Sequence, residues 1–98
     1  MVIEIKKSEN QLIVELSGRL DAITAPTLER TLYENINDIK RLILDCKGLE
    51  YISSAGLRVV LNAQKKMQQM GEMKVIDVNE QVMEVFEITG FADILNIE

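Results

Sequence analysis

The sequence predicts a single α/β domain with a mixed, mostly parallel sheet, three helices and an N-terminal β-hairpin. Three observations carry this. Apolar runs of strand length alternate with segments of helical periodicity, cap and stop residues bracket the helical segments, and only a polar turn separates the first two apolar runs. The expected order is β-β-α-β-α-β-α-(β), over residues 1–98 as one domain.

Each element has its own signal. "VIEIK" and "QLIVELSG" read as strands, the second with Leu12, Val14 and Leu16 alternating against Gln11, Ile13 and Glu15. "KSENQ" supplies turn residues, hence a hairpin. In "GRLDAITAP" the alternation breaks, and Thr24 with Pro26 opens a helix whose apolar face runs through Leu28, Leu32, Ile36 and Ile39. "RLILD" is a continuous apolar run, the pattern of a central strand covered on both faces. "SSAGL" starts a long helix that reaches about Met70 and stops at Gly71. "MKVIDV" is a further strand. Asn79 caps a third helix with Val82, Val85, Phe86 and Thr89 on one face, Gly90 ends it, and "FADILNIE" is a last strand or an extended tail. Parallel strands separated by helices require crossovers, which is why the sheet is expected to be mostly parallel.

Composition narrows the function. The net charge is -5, with 11 basic residues scattered along the chain, so the concentrated basic surface of a nucleic-acid binder is missing. There is no histidine, which excludes Ser-His-Asp and Cys-His catalysis and imidazole zinc sites, and no S-x-x-K pattern follows either serine of "YISSAGL". The single cysteine, Cys46, is read as a small core residue in a reducing compartment. Neither a signal-like leader nor an apolar run of membrane-spanning length is found, so a cytoplasmic protein with no membrane segment of its own is expected. No metal or cofactor motif is present, including any Gly-rich phosphate loop, and an enzyme is not expected.

The long helix holds the informative pattern. At 100° per residue, Gly56, Val59, Val60, Ala63, Met67 and Met70 form a core stripe, with Arg58, Asn62, Lys65, Lys66 and Gln69 opposite in water. Ser54 projects on the same side as Leu57, Arg58 and Leu61, at a helix end where free N–H groups and the dipole favour an anion. Ala55 and Gly56 are small, which would let another protein approach closely. A phosphoacceptor in a docking face would have this form. A simple helix cap at Ser53 and Ser54, with Leu57 and Leu61 facing the sheet, fits the same residues.

"YISSAGLRVVLNAQKKM" after "RLILDCKGLE", with "GRLDAITAP" upstream, resembles the bacterial anti-sigma factor antagonist family, whose fold is the STAS domain. The resemblance covers nearly the whole chain and is most specific from Leu44 to Leu61. It implies a binding switch rather than an enzyme. Unphosphorylated members bind an anti-sigma factor that is often also a serine kinase, phosphorylation at the start of the long helix breaks the complex, and a PP2C-type phosphatase reverses the mark. The family motif is Asp-Ser-(Ser/Thr/Ala)-Gly-Leu, which aligns Ser54 with the acceptor and Ser53 with the Asp. Asp21 matches a family acidic residue in a loop near that serine.

Partner contact is therefore expected at Asp21, Ser53, Ser54, Leu57, Arg58 and Leu61, with phosphorylation at Ser54. For Leu57 and Leu61 a core position remains open; Arg58 reads equally as a solvated charge and Asp21 as a turn residue. Serine in place of the family Asp either caps the helix equivalently or removes an acid the kinase step uses. The alternative function is a constitutive STAS scaffold subunit of a transporter or signalling complex, without phosphorylation.

Overall fold

The computed structural model describes residues 1–98. Four strands, β1 (Val2–Lys7), β2 (Gln11–Leu20), β3 (Arg41–Ile52) and β4 (Glu72–Ile76), stand side by side in chain order. β1 runs antiparallel to β2, while β2, β3 and β4 are mutually parallel. Helices α1 (Ala25–Asn35), α2 (Ser54–Met70) and α3 (Glu80–Thr89) follow β2, β3 and β4, and a short 3-10 turn, Phe91–Asp93, comes after α3. This is the expected element order and sheet type.

One face of the sheet forms the core. Leu12 and Val14 pair in register with the buried Leu42 and Leu44 of β3, which pair in turn with Met73 and Val75 of β4, and Leu16 is buried beside them at the register shift. Against them pack Leu28 and Leu32 of α1, Val59, Val60 and Met67 of α2, and Val82 and Phe86 of α3. Burying each such aliphatic side chain is worth about 1.5–3 kcal/mol, so the alternation dictates which face each strand turns inward.

β3 corrects the expectation of a strand covered on both faces. It is twelve residues long and alternates, with Leu42, Leu44 and Cys46 buried while Ile43 and Asp45 are only half-buried on the reverse face. Three apolar residues in a row imitate a two-sided strand because Ile43 is sheltered by its register partners Ile13 and Lys74 rather than by a helix. β2 and β3 also run beyond the expected limits, with register shifts between Glu15 and Ser17 and between Gly18 and Arg19. Such shifts absorb an extra residue and keep Leu20, Leu49 and Ile52 buried at the far end. That extension carries the sheet up to the two turns from which α1 and α2 start.

Smaller departures have local causes. Ile36 and Ile39 are buried but lie beyond the end of α1. Met70 is half-buried, and Thr89 is exposed, its hydroxyl donating back to the Val85 carbonyl at 2.7 Å. Asn79 caps α3 by accepting from the Val82 N–H (2.9 Å) and also donates to the Leu49 carbonyl (2.8 Å), tying α3 to β3. Gly90 ends α3 at φ 82°, a left-handed conformation that favours glycine. The C-terminal residues form a single parallel bridge, Val75 to Ile97, rather than a full strand. Burial raises the Cys46 thiol pKa to about 12, helped by Asp45 and Asp77, so it is an inert core residue. No helix is long and apolar enough to cross a membrane.

Candidate functional site

The candidate site lies where β2 and β3 end together. Leu20 and Ile52 are register partners, and the Ser53 N–H donates to the Leu20 carbonyl at 2.9 Å. The chain therefore leaves the sheet at Asp21 and at Ser53 from adjacent points, and α1 and α2 begin side by side. A shallow groove between the two starts is lined by Ala22, Ala25, Pro26 and Glu29 from one connection and Ala55, Arg58 and Val59 from the other.

Ser53 is the N-cap of α2. Its backbone is extended (φ -96°, ψ 176°), and its Oγ accepts from the Gly56 N–H at 3.3 Å. The Leu57 N–H donates to the Ser53 carbonyl (2.9 Å), which closes the first helical turn. Ser54 is the first residue inside the helix and is exposed; its hydroxyl makes no hydrogen bond within the chain. The N–H groups of Ser54 and Ala55 likewise have no acceptor in the chain, as helix geometry dictates for a first turn with one capping oxygen. An exposed hydroxyl thus stands beside unsatisfied donors at the positive end of a helix dipole.

Gly56 behaves differently from the expectation that its small size admits a partner. It is buried, and a Cβ there would lie 2.7 Å from Leu20 Cγ and 2.9 Å from Ile52 Cγ1. The missing side chain lets the first turn of α2 sit directly on the ends of β2 and β3, which fixes the position of Ser54. Leu57 is also turned inward: it is 8% exposed and belongs to the core, so the core alternative holds for it and it offers no docking surface. Leu61 is half-buried and Arg58 exposed.

Asp21 is occupied within its own turn. Its Oδ1 accepts from the Ile23 N–H (3.0 Å) and the Thr24 N–H (3.1 Å), and its carbonyl accepts from the Ala25 N–H (2.8 Å). The Thr24 hydroxyl accepts from the Asp21 N–H (2.9 Å) and donates to the Arg19 carbonyl (2.8 Å). The Thr24 N–H, helped by that of Ile23, by the Thr24 hydroxyl and by the Arg19 charge, holds the Asp21 carboxyl below the ordinary 3.8 against the opposing effect of desolvation. Thr24 was expected to cap α1 with its hydroxyl; instead the hydroxyl is used one turn earlier, and Asp21 fixes the turn. No hydrogen bond joins Asp21 to Ser53 or Ser54, so this acid shapes the loop beside the serine rather than touching it.

Two features lay outside the sequence expectation. Ile23, on the Asp21 turn, is 85% exposed, a large apolar side chain in water next to the groove. Its signal was an isoleucine in a stretch otherwise built of turn and cap residues. On the other flank the Arg19 guanidinium lies 4.1 Å from the centre of the Tyr51 ring, bordering a surface that continues to Ile88 of α3. Arg19 and Tyr51 are paired by the sheet register, which the sequence does not reveal.

Comparison with known proteins gives the family and the fold. The STAS domain model matches residues 2–98. A putative anti-sigma factor antagonist, BtrV of Bordetella bronchiseptica, is 38% identical over 99% of this chain and 85% of its own length. The anti-sigma-B factor antagonist of Bacillus subtilis is 30% identical over 97% of this chain and 88% of its own. Among solved structures, the unphosphorylated form of the anti-sigma factor antagonist SpoIIAA superposes with a TM-score of 0.85 over 99% of this chain and 88% of that one, at 16% identity. Its phosphorylated form gives 0.78 at 15% identity, over 99% and 91%. The chain belongs to the STAS domain family.

Proposed function

We propose that this protein is an anti-sigma factor antagonist that works as a binding switch. Unphosphorylated, it docks on an anti-sigma factor that is also a serine kinase; phosphorylation of Ser54 releases it, and a PP2C-type phosphatase restores it. The single observation that carries the reading is Ser54 itself, exposed and unbonded at the first position of α2, next in the chain to Ala55 of the groove. The homologous antagonists support the regulatory role and a non-enzymatic one.

The geometry gives the switch a physical basis. A phosphate on Ser54 would meet the free N–H groups of Ser54 and Ala55, the helix dipole and the exposed Arg58 one turn on, so the domain accommodates the added charge. A partner covering the same spot must desolvate that charge of about -2, and Ala22, Ala55 and exposed Ile23 suit an apolar contact that a phosphate disrupts. Asp21 and Ser53 act through shape, one by fixing the turn that carries Ile23 and the other by starting α2.

The test is incubation with ATP and the cognate anti-sigma kinase, read by intact mass and site mapping, for wild type, Ser54→Ala and Ser53→Ala. One phosphate that vanishes only in Ser54→Ala, with binding lost on phosphorylation, is the expected result. Binding without any phosphate would instead favour the constitutive scaffold reading, for which the observation is Ser53 standing where the family carries Asp.

A further inference from the structure

The two edges of the sheet are finished differently. At the β4 edge the chain covers itself. The Val75 N–H donates to the Asn96 carbonyl and the Glu98 N–H to the Val75 carbonyl, both at 2.9 Å, while Lys74 pairs with Glu98 at 3.0 Å. At the other edge no part of the chain pairs with the outer side of β1.

The hairpin shows which groups that outer side presents. The Ser8 N–H donates to the Gln11 carbonyl at 2.9 Å, so Ser8 and Gln11 form a hydrogen-bonded pair. Antiparallel ladders alternate, and counting back along the register turns the backbone groups of Lys6, Glu4 and Val2 toward β2. Those of Ile3, Ile5 and Lys7 face outward.

The side chains leave a matching imbalance. Glu4 lies directly across from Glu15, a like-charge pair, and Lys6 is already engaged with Glu15 at 3.3 Å. Glu4 has no cation partner. Ile5, on the core side of the strand with Val14, is 41% exposed.

A second copy of the same strand answers all of these. Arranged antiparallel about a twofold axis at Ile5, the outward groups of Ile5 meet those of Ile5, and those of Ile3 meet those of Lys7, so both copies satisfy their ladders. Each Glu4 then faces Lys6 of the second copy, and the Ile5 side chains cover each other. Sliding the register by two residues either way sets Glu4 against Glu4 or Lys6 against Lys6. Open edges are normally guarded by mismatched charge; here the charges select one pairing.

We propose that the chain forms a homodimer by antiparallel pairing of β1 with β1 of a second copy, centred on Ile5. The sheet becomes continuous across two molecules. Because α2 packs over β3 and β4, the pairing leaves both Ser54 sites uncovered.

Sedimentation equilibrium over a wide concentration range tests this, with circular dichroism melts as the folding control. Wild type should approach a dimer mass. Glu4→Lys alone and Lys6→Glu alone should each dimerise about tenfold or more weakly, since attractive pairs become repulsive. An equimolar mixture of the two should recover a heterodimer, and the double swap Glu4→Lys/Lys6→Glu a homodimer. Ile5→Pro, which removes an outward N–H and spares the ladder to β2, should be monomeric. A wild type that stays monomeric throughout overturns the proposal, as does a dimer unaffected by both single charge changes or a mixture that fails to pair.

Discussion

The starts of α1 and α2 are two answers to the same local problem. Both helices leave adjacent parallel strands at the same end of the sheet, and both must deal with first-turn N–H groups that no helical carbonyl can reach. At α1 the problem is solved internally. Asp21 takes the Ile23, Thr24 and Ala25 donors, Pro26 has none to offer, and the Thr27 and Leu28 N–H groups fall back on the Thr24 carbonyl (3.1 and 3.3 Å). At α2 one long bond from Gly56 to Ser53 Oγ is the whole side-chain cap, and the donors of Ser54 and Ala55 stay open beside a free hydroxyl. A closed start gives a rigid neighbour; an open start gives a place where added negative charge is favourable.

The largest expected effect tests what holds the open start in position. Gly56→Ala must push a methyl between Leu20 and Ile52, and should cost about 1–3 kcal/mol in urea unfolding while lifting Ser54 away from the Asp21 turn. An undiminished stability would mean that the first turn of α2 is not packed as described.

Next comes the closed start. Asp21→Ala should lower the urea midpoint by freeing the Ile23 and Thr24 donors, and should weaken partner binding by loosening the turn that carries Ile23. Its pH dependence has a definite sign. The folded-state pKa lies below the ordinary 3.8, so the stabilisation is fully present above the unfolded value and is lost as pH falls through the folded one. The advantage of wild type over Asp21→Asn should therefore be constant above the ordinary carboxylate range and shrink below about pH 4, the two curves converging as wild type loses stability with the steeper slope.

Ser53→Ala should cost about 0.5–1 kcal/mol, the lower part of the range for a cap because its bond is long, and Ser53→Asp should restore it. Smallest of all, Ser54→Ala should change stability by less than about 0.5 kcal/mol, since its hydroxyl bonds to nothing. That neutrality matters: loss of phosphorylation in Ser54→Ala could then not be blamed on unfolding. A marked loss of stability would erase the contrast between the two starts.

How far these features were legible varied with their physical origin. The limits of α2 were readable because a serine cap, a 3.6-residue stripe and a terminal glycine agree with one another. The length of β3 was not, because bulges let a strand continue where the local pattern falters, and because Ile43 looks the same whether a helix or its register neighbours shelter it. Thr24 reads as a cap from its neighbours in sequence, yet its hydroxyl is drawn to Arg19, a choice made by the path of β2. Ser54 could be singled out in advance. Its freedom could not, since helical spacing alone does not say which side faces the sheet.

By itself the sequence determined the order of the elements, the aliphatic core, the place where α2 begins and the family resemblance, because each rests on local periodicity or on a short motif. Only the tertiary structure decided that Leu57 turns inward, that Gly56 serves the protein's own packing, and that Asp21 and Ser53 leave the sheet side by side. Those outcomes depend on which strand ends lie together, and strand pairing joins residues about thirty positions apart, such as Leu20 and Ile52, through backbone groups that every residue shares.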